Sequence, residues 1–218
     1  MKNNKIKQIA LFTILLSFAF ATEATAQVSI GADVVSRYVW RGVDYGNKAA
    51  IQPALAFTKG GFEVGAWGNF SIADGSANEN DLYVSYATGP IQFIVTDYFF
   101  PGYSGKDAFF EFEEDFTGHI IEAGAAFETG ALSVSAFYNF YGADTENSTY
   151  FELGYTLPYS ADDVELGLTA GAGNGFYTYD TDFNVVVLGI TASKNNLSAS
   201  YIINPNLETS FLVFGYSF

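Results

Sequence analysis

Polar and apolar residues alternate along most of the chain after residue 26. In the clearest run, Phe62 to Ile72, the even positions are apolar or small and the odd positions are mostly polar. A period of two is typical of a strand whose two faces meet different surroundings. Twelve runs of roughly the length that a tilted membrane strand needs are predicted as strands: 28–40, 50–59, 62–72, 81–88, 91–100, 119–129, 132–141, 149–157, 164–173, 184–194, 197–204 and 210–218.

The connectors between these runs alternate between short and long. Tight turns are predicted at Gly60-Gly61, Gly89-Pro90, Gly130-Ala131 and Asn195-Asn196, and mostly longer connectors lie between them. Short periplasmic turns and longer outer loops are the asymmetry of bacterial outer-membrane barrels. The sequence therefore predicts an all-β fold, a transmembrane antiparallel up-and-down β-barrel of about 12 strands with both termini in the periplasm.

The alternative fold is a soluble β-sandwich, which also shows alternation and turns. Its outward faces would be polar, whereas here two of them read Leu132-Val134-Ala136-Tyr138-Phe140 and Leu212-Phe214-Tyr216-Phe218. Aromatic residues near the strand ends predict interfacial girdles, with packing in a core as the alternative; they are Tyr38, Trp40, Phe70, Tyr98 to Phe100, Tyr138 to Tyr141, Tyr150 and Phe151.

The N-terminal segment predicts export. Three lysines precede an apolar run from Ile9 to Ala21, and Ala24 and Ala26 provide a cleavage pattern of small residues. This arrangement indicates a signal peptide at residues 1–26, followed by an outer-membrane barrel at residues 27–218. The apolar run is too short for an anchoring helix, which would require about 20 residues.

Composition narrows the functional classes. The net charge of −15 makes nucleic acid an unsuitable partner, and the absence of cysteine excludes disulfides and thiolate metal sites. We expect no cofactor. The expected partners are outer-membrane lipids, small solutes or ions, and the barrel-assembly machinery, which would read the terminal Phe218.

Five short motifs resemble a known family. They begin with Ser36-Arg37-Tyr38-Val39-Trp40-Arg41-Gly42, which is similar to the S-x-Y-x-x-R-G signature of the TorF-type family of proposed outer-membrane porins. The others are Gly65 to Asn69, Glu79 to Tyr83 with Tyr86, Tyr98 to Gly102, and Tyr150 to Gly154. The resemblance implies an outer-membrane barrel of the porin type without known catalytic residues. The acidic stretch Glu111 to Asp115 departs from the pattern and leaves open whether the third outer loop folds inward.

Catalysis finds little support in the sequence. The only histidine, His119, has the parity of outward-facing Ile121 and Ala123, which favours a role in packing over one in enzyme chemistry. The acidic residues Glu111 to Asp115, and Asp180 with Asp182, could bind Ca²⁺. Solvated acidic loops are the other interpretation.

Parity and strand direction predict the lumen-lining residues. The candidates for the narrowest part are Arg37, Arg41, Glu122 and Glu152, with Gln52 and Asn69 as a neutral wall. The basic pair would face the acidic pair across the lumen, either as a transverse field or as a brace. Twelve strands lie between filled small barrels and wide porins. The sequence thus predicts a channel for ions or small solutes, and the alternative is a non-conducting surface barrel that acts structurally or through its loops.

Overall fold

The computed structural model describes residues 26–73, 78–103, 108–158 and 163–218. The predicted signal peptide, residues 1–26, lies outside them except for its last residue. Within them the chain forms fourteen strands: β1 (Gln27–Val35), β2 (Val39–Trp40), β3 (Val43–Asp44), β4 (Ala50–Lys59), β5 (Phe62–Ser71), β6 (Glu79–Thr88), β7 (Ile91–Phe99), β8 (His119–Thr129), β9 (Leu132–Gly142), β10 (Thr149–Thr156), β11 (Glu165–Gly175), β12 (Asp180–Lys194), β13 (Leu197–Asn204) and β14 (Thr209–Ser217).

Twelve of these strands close into an antiparallel barrel. β1 and then β4 to β14 each pair with their neighbour in the chain, and β14 pairs back with β1 through Asp33 to Val35. β2 and β3 form a separate two-stranded hairpin. The predicted strand number and the up-and-down order are therefore confirmed. No helix in the described part of the chain is long and apolar enough to cross a membrane.

The turns and loops divide between the two ends of the barrel. Gly60, Gly61, Gly89, Gly130 and Asn195 have positive φ angles at the predicted tight turns, as two-residue hairpin connections require. The start of β1 and the end of β14 lie at the same end of the barrel as these turns. We call it the short-turn end. The opposite end carries the longer connectors and is the long-loop end.

Side chains alternate across the barrel wall as the sequence predicts. On β5, Phe62, Val64 and Phe70 face outward and are exposed, whereas Glu63 and Asn69 face inward and are buried. Exposed apolar residues form the outward face of the neighbouring strands as well. The outer surface is therefore apolar and the inner one largely polar.

Two strands differ from the prediction in ways that affect the lumen. The first barrel strand ends at Val35 instead of continuing to residue 40. β12 contains a bulge, because Val185 pairs with Ala172 and Val187 with Gly171, leaving Val186 without a partner. The bulge turns both Val186 and Val187 inward, which interrupts the alternation of this strand.

In the third long connector, residues 100–118, the segment 109–112 lies against the outside of the barrel. His119, at an outward position, contacts Asp97 Oδ1 through Nδ1 at 2.7 Å and the Phe109 carbonyl oxygen through Nε2 at 2.7 Å. The ring of Phe112 stacks on the imidazole, and Tyr141 donates a hydrogen bond to the Phe112 carbonyl. His119 is thus a packing residue, as the sequence favours, and residues 109–112 of this loop lie outside the lumen.

Candidate functional site

The connector between β1 and β4 folds into the barrel. We call residues 36–49, which include β2 and β3, the plug hairpin. Arg41 and Gly42 form its two-residue turn with φ angles of 47° and 80°, and two positive values are characteristic of a type I′ turn. Only glycine fits the second position, because a Cβ atom on Gly42 would lie 2.0 Å from the Val186 carbonyl oxygen. This turn explains the consecutive Arg and Gly of the sequence motif.

The plug hairpin reaches strands all around the ring. The Tyr38 ring lies 5.7 Å from that of Trp67 on β5, and the Trp40 ring lies 6.3 Å from that of Tyr98 on β7. Other contacts involve β8, β9, β10 and β13, including Asn204 Nδ2, which donates to the Gly42 carbonyl at 3.1 Å. A short segment can meet so many strands only from inside the barrel, so the plug hairpin fills the lumen at the long-loop end.

An apolar cluster holds the hairpin in place. Val39 is buried, and its neighbours come from strands on one side of the ring and from the loop before β12. The cluster consists of Val39, Tyr150, Tyr177, Val186, Val187, Ile202 and Val213. The bulge in β12 contributes two of these side chains.

A buried ion pair lies at the tip of the hairpin. Arg41 Nη1 and Nη2 donate to Glu122 Oε2 at 2.5 Å and Oε1 at 3.0 Å, and both side chains are almost completely buried. Tyr98 donates to the same carboxylate at 2.8 Å, and Arg41 also donates to the Tyr177 hydroxyl. Bidentate, charge-assisted bonds of this kind are the strong class of protein hydrogen bonds. Because the two residues stand 81 positions apart, this contact fixes the hairpin against the barrel wall.

Aromatic rings enclose the Arg41 guanidinium. Its central carbon lies 4.2 Å from the ring centre of Phe137, 4.6 Å from Tyr150, 4.7 Å from Trp40 and 5.2 Å from Tyr177. Such distances are within the range of cation–π attraction. The rings replace water around the cation while Glu122 balances its charge, so the lumen at this level is a packed polar core.

The structure brings some predicted site residues together and separates others. Arg41 meets Glu122, and Gln52 donates to Asn69 Oδ1 at 3.0 Å. Arg37 is predicted on the first wall strand, but in the structure it lies in the plug hairpin and pairs with Asp44 at 2.7 Å. This prediction was wrong because the wall strand stops at Val35.

Glu152 lies on the wall at an inward position, with its own local partner. It accepts a hydrogen bond from the Tyr150 hydroxyl at 2.7 Å. No ion pair with Glu152 is present in the described part of the chain. The predicted arrangement of two basic and two acidic groups is therefore reduced to one close pair, Arg41 with Glu122.

Several inward glycines are covered by aromatic rings and do not leave open space. A Cβ atom at Gly65 would meet the Tyr83 ring at 2.3 Å, and those at Gly124 and Gly171 would meet Phe137 and Tyr150 similarly. Gly167, by contrast, has no atom within 4 Å of an added Cβ. The lumen is thus narrowed by rings that lie flat over glycine backbone, and open space remains near Gly167.

The sequence predicts several aromatic residues of the site at the membrane interface and not in the lumen. Tyr38, Trp40, Tyr98 and Tyr150 are predicted in an interfacial girdle, but their rings lie inside the lumen. There Tyr38 contacts Trp67, Trp40 contacts Tyr98, and Tyr150 contacts Tyr177. Phe70, Tyr138, Phe140 and Phe151 are exposed on the outside, as a girdle requires. Parity identifies Tyr98 as inward, whereas only the turn at Arg41 accounts for Tyr38 and Trp40.

The described residues include no group of three or more acidic or histidine side chains that could hold a metal ion. The stretch from Glu111 to Asp115, a predicted candidate for Ca²⁺, lies in the loop outside the barrel wall.

The chain matches a known protein family. Residues 20–211 match a family model named Gcw_chp, described as a bacterial protein of unknown function. No curated protein matches the chain. The match covers eleven barrel strands and the plug hairpin completely and ends within β14.

Proposed function

Since the chain belongs to the Gcw_chp family of bacterial proteins of unknown function, we propose that it is an outer-membrane channel for ions or small solutes. In the proposed protein the plug hairpin closes the outer mouth. The family description names no activity, so the support for the proposal comes from the barrel's surfaces and lumen. The resemblance to the TorF-type family is in keeping with it.

The outward surface supports a position in a membrane. Large apolar side chains are exposed on it, such as Ile30 at 82%, Phe62 at 57% and Leu212 at 55%. A soluble protein would bury a surface of this size. A closed ring of strands also pairs its backbone groups within the wall, as a hydrocarbon environment demands. With a cleaved signal peptide and periplasmic short turns, the long-loop end would face outside the cell.

The division of the lumen favours a channel, and this single observation carries the proposal. The buried apolar cluster contacts the plug hairpin, whereas inward positions nearer the short-turn end carry the polar residues Ser85, Gln92, Ser135 and Ser193, which are also buried. Polar hydroxyl and amide groups support a wet passage, while an apolar core would close it permanently. Movement of one hairpin would then connect this passage with the outside.

The alternative is a non-conducting barrel that supports surface loops. The observation in its favour is the bidentate Arg41–Glu122 pair, because a well-satisfied buried pair can brace the barrel permanently. In the channel proposal the same pair is a latch, and Arg41, Gln52, Asn69, Glu122 and Glu152 line the pathway once it opens. Arg37, which pairs with Asp44 in the hairpin, moves with the latch.

We expect the purified protein to show brief, cation-selective openings in a planar bilayer. Inward carboxylates outnumber basic groups, and their attraction for cations weakens as salt screens them. Glu152→Lys should shift the reversal potential in dilute salt toward anions. Glu152 suits this test because it has no ion-pair partner among the described residues.

Glu114→Lys is the matched control, since it makes the same charge change in the exposed third loop. It should leave the reversal potential unchanged. Clear anion preference of the unmodified protein, or identical potentials in both variants, would contradict the assignment of Glu152 to the pathway. Complete absence of current under all conditions would favour the non-conducting barrel.

A further inference from the structure

A second feature of the long-loop end is an aromatic cleft next to the latch. Its enclosed part has a volume of about 20 Å³, room for one water-sized group such as an ammonium head, and the space around it is partly open to solvent. Rings from the hairpin, the wall and the loop before β12 line it, together with one carboxylate and one amide. The lining residues are Tyr38, Trp40, Tyr45, Glu79, Tyr98, Phe100, Ile120, Asn139, Phe176 and Tyr177.

Two polar atoms of the cleft residues are buried without a hydrogen-bond partner among the described residues: Tyr45 Oη and Asn139 Oδ1. Buried polar groups without partners are rare and cost free energy. Burial raises the pKa of the Tyr45 hydroxyl well above its ordinary value, so it stays protonated at neutral pH. Its oxygen retains lone pairs that can accept. Both atoms can therefore accept a hydrogen bond from a ligand.

The carboxylate of the cleft also lacks a cation. Glu79 is buried and hydrogen bonded to the Tyr38 hydroxyl and the Asp81 carboxyl group. Neither acidic residue forms an ion pair within the described part of the chain, and Asp81 Oδ1 has no hydrogen-bond partner there. The nearby Arg41 is already committed to Glu122. A hydrogen bond between two carboxyl groups requires one proton, so the Glu79–Asp81 pair carries at most one negative charge. The cleft combines this charge and free acceptors with aromatic faces.

We propose that this cleft binds a small organic cation with a primary ammonium group. The three N–H donors of such a group match the Glu79 carboxylate, Asn139 Oδ1 and Tyr45 Oη. Its attached carbons would contact the rings, whose faces attract a cation. That the bound cation is also a transported solute rests on the proposed function. Binding itself does not require conduction.

Isothermal titration calorimetry on the full mature protein in detergent tests binding without a bilayer. Butylammonium should bind at least about tenfold more tightly than 1-butanol, because hydrogen bonds to a charged group are worth that much or more. Tetramethylammonium, which has the charge but no N–H donors, should also bind more weakly. Equal binding of butylammonium and butanol, or equal binding of the two ammonium ions, would overturn the proposal.

Glu79→Gln should weaken butylammonium binding by at least about tenfold while keeping the shape of the side chain. Glu63→Gln is the matched control, because Glu63 is also buried and inward but bonds to Thr58 and Tyr83 toward the short-turn end. Tyr45→Phe, which removes one acceptor and no ring, provides a second variant should Glu79→Gln fail to fold. Unchanged affinity in the folded cleft variants would overturn the assignment. A protein that binds the amine and passes no current would refute only the proposed channel.

Discussion

Arg41→Ala is expected to open the barrel. The substitution leaves the Glu122 carboxylate, only 2% exposed, without the guanidinium that balances its charge. Removing one partner of a buried ion pair costs about 3–5 kcal/mol. This cost destabilises the plugged arrangement relative to the open one, in which Glu122 is no longer buried against the hairpin. The closed-to-open equilibrium should shift by a factor of about 100 or more. Single-channel recording should therefore show long openings where the unmodified protein shows brief ones.

Arg37→Ala is the matched control for this experiment. It removes the same kind of side chain from the same hairpin, but the Arg37 side chain is 33% exposed where it pairs with Asp44. Pairs of this kind contribute roughly 0–1 kcal/mol. Openings should stay brief in this variant. Equal open fractions for the two variants would mean that the Arg41–Glu122 pair is not a latch.

Leu212→Arg is expected to impair insertion into a bilayer by about 2–4 kcal/mol if the residue lies near the membrane midplane. Leu212 faces outward and is exposed, so arginine there would place a charge in hydrocarbon. Gly167→Arg makes the matched change at an inward position, where the structure leaves open space. Folding titrations into lipid vesicles, with urea as denaturant, measure the difference. Equal losses in both variants would refute the lipid-facing assignment of the outer surface.

The barrel itself could be predicted from the sequence because its determinants are local. Alternation with a period of two identifies the strands, and glycine or asparagine at the tight turns marks their ends. The predicted strands 50–59, 119–129 and 197–204 agree with β4, β8 and β13 residue for residue. In each of these strands, apolar and polar residues alternate between the outer and inner faces of the barrel wall.

The plug hairpin could not be predicted in this way. Residues 36–40 continue the alternation of β1 well enough to suggest a longer strand. What turns them inward is the type I′ turn at Arg41 and Gly42 together with a partner, Glu122, 81 residues away. Long-range pairing of this kind leaves no periodic pattern, so the sequence predicts Arg41 and Glu122 only as facing residues and leaves open whether they meet in a salt bridge.

Two strands with poor alternation have physical explanations that involve other parts of the fold. In β12 the bulge at Val186 shifts the parity, so two consecutive valines face inward. In β7 the outward Asp97 breaks the apolar pattern, because His119 and the third loop cover it there. Both irregularities serve contacts at the long-loop end, where the hairpin and the loops pack.

Replacement of the plug hairpin tests the central claim most directly. Val35 and Ala50 are register partners on adjacent strands, so residues 36–49 can be exchanged for a two-residue Asn-Gly turn that closes the same pair. Single-channel recording in a planar bilayer should then show a steady current, larger on average than that of the unmodified protein. A correctly folded variant that remains as closed as the unmodified protein would contradict the account, since the hairpin would then not be what closes the lumen.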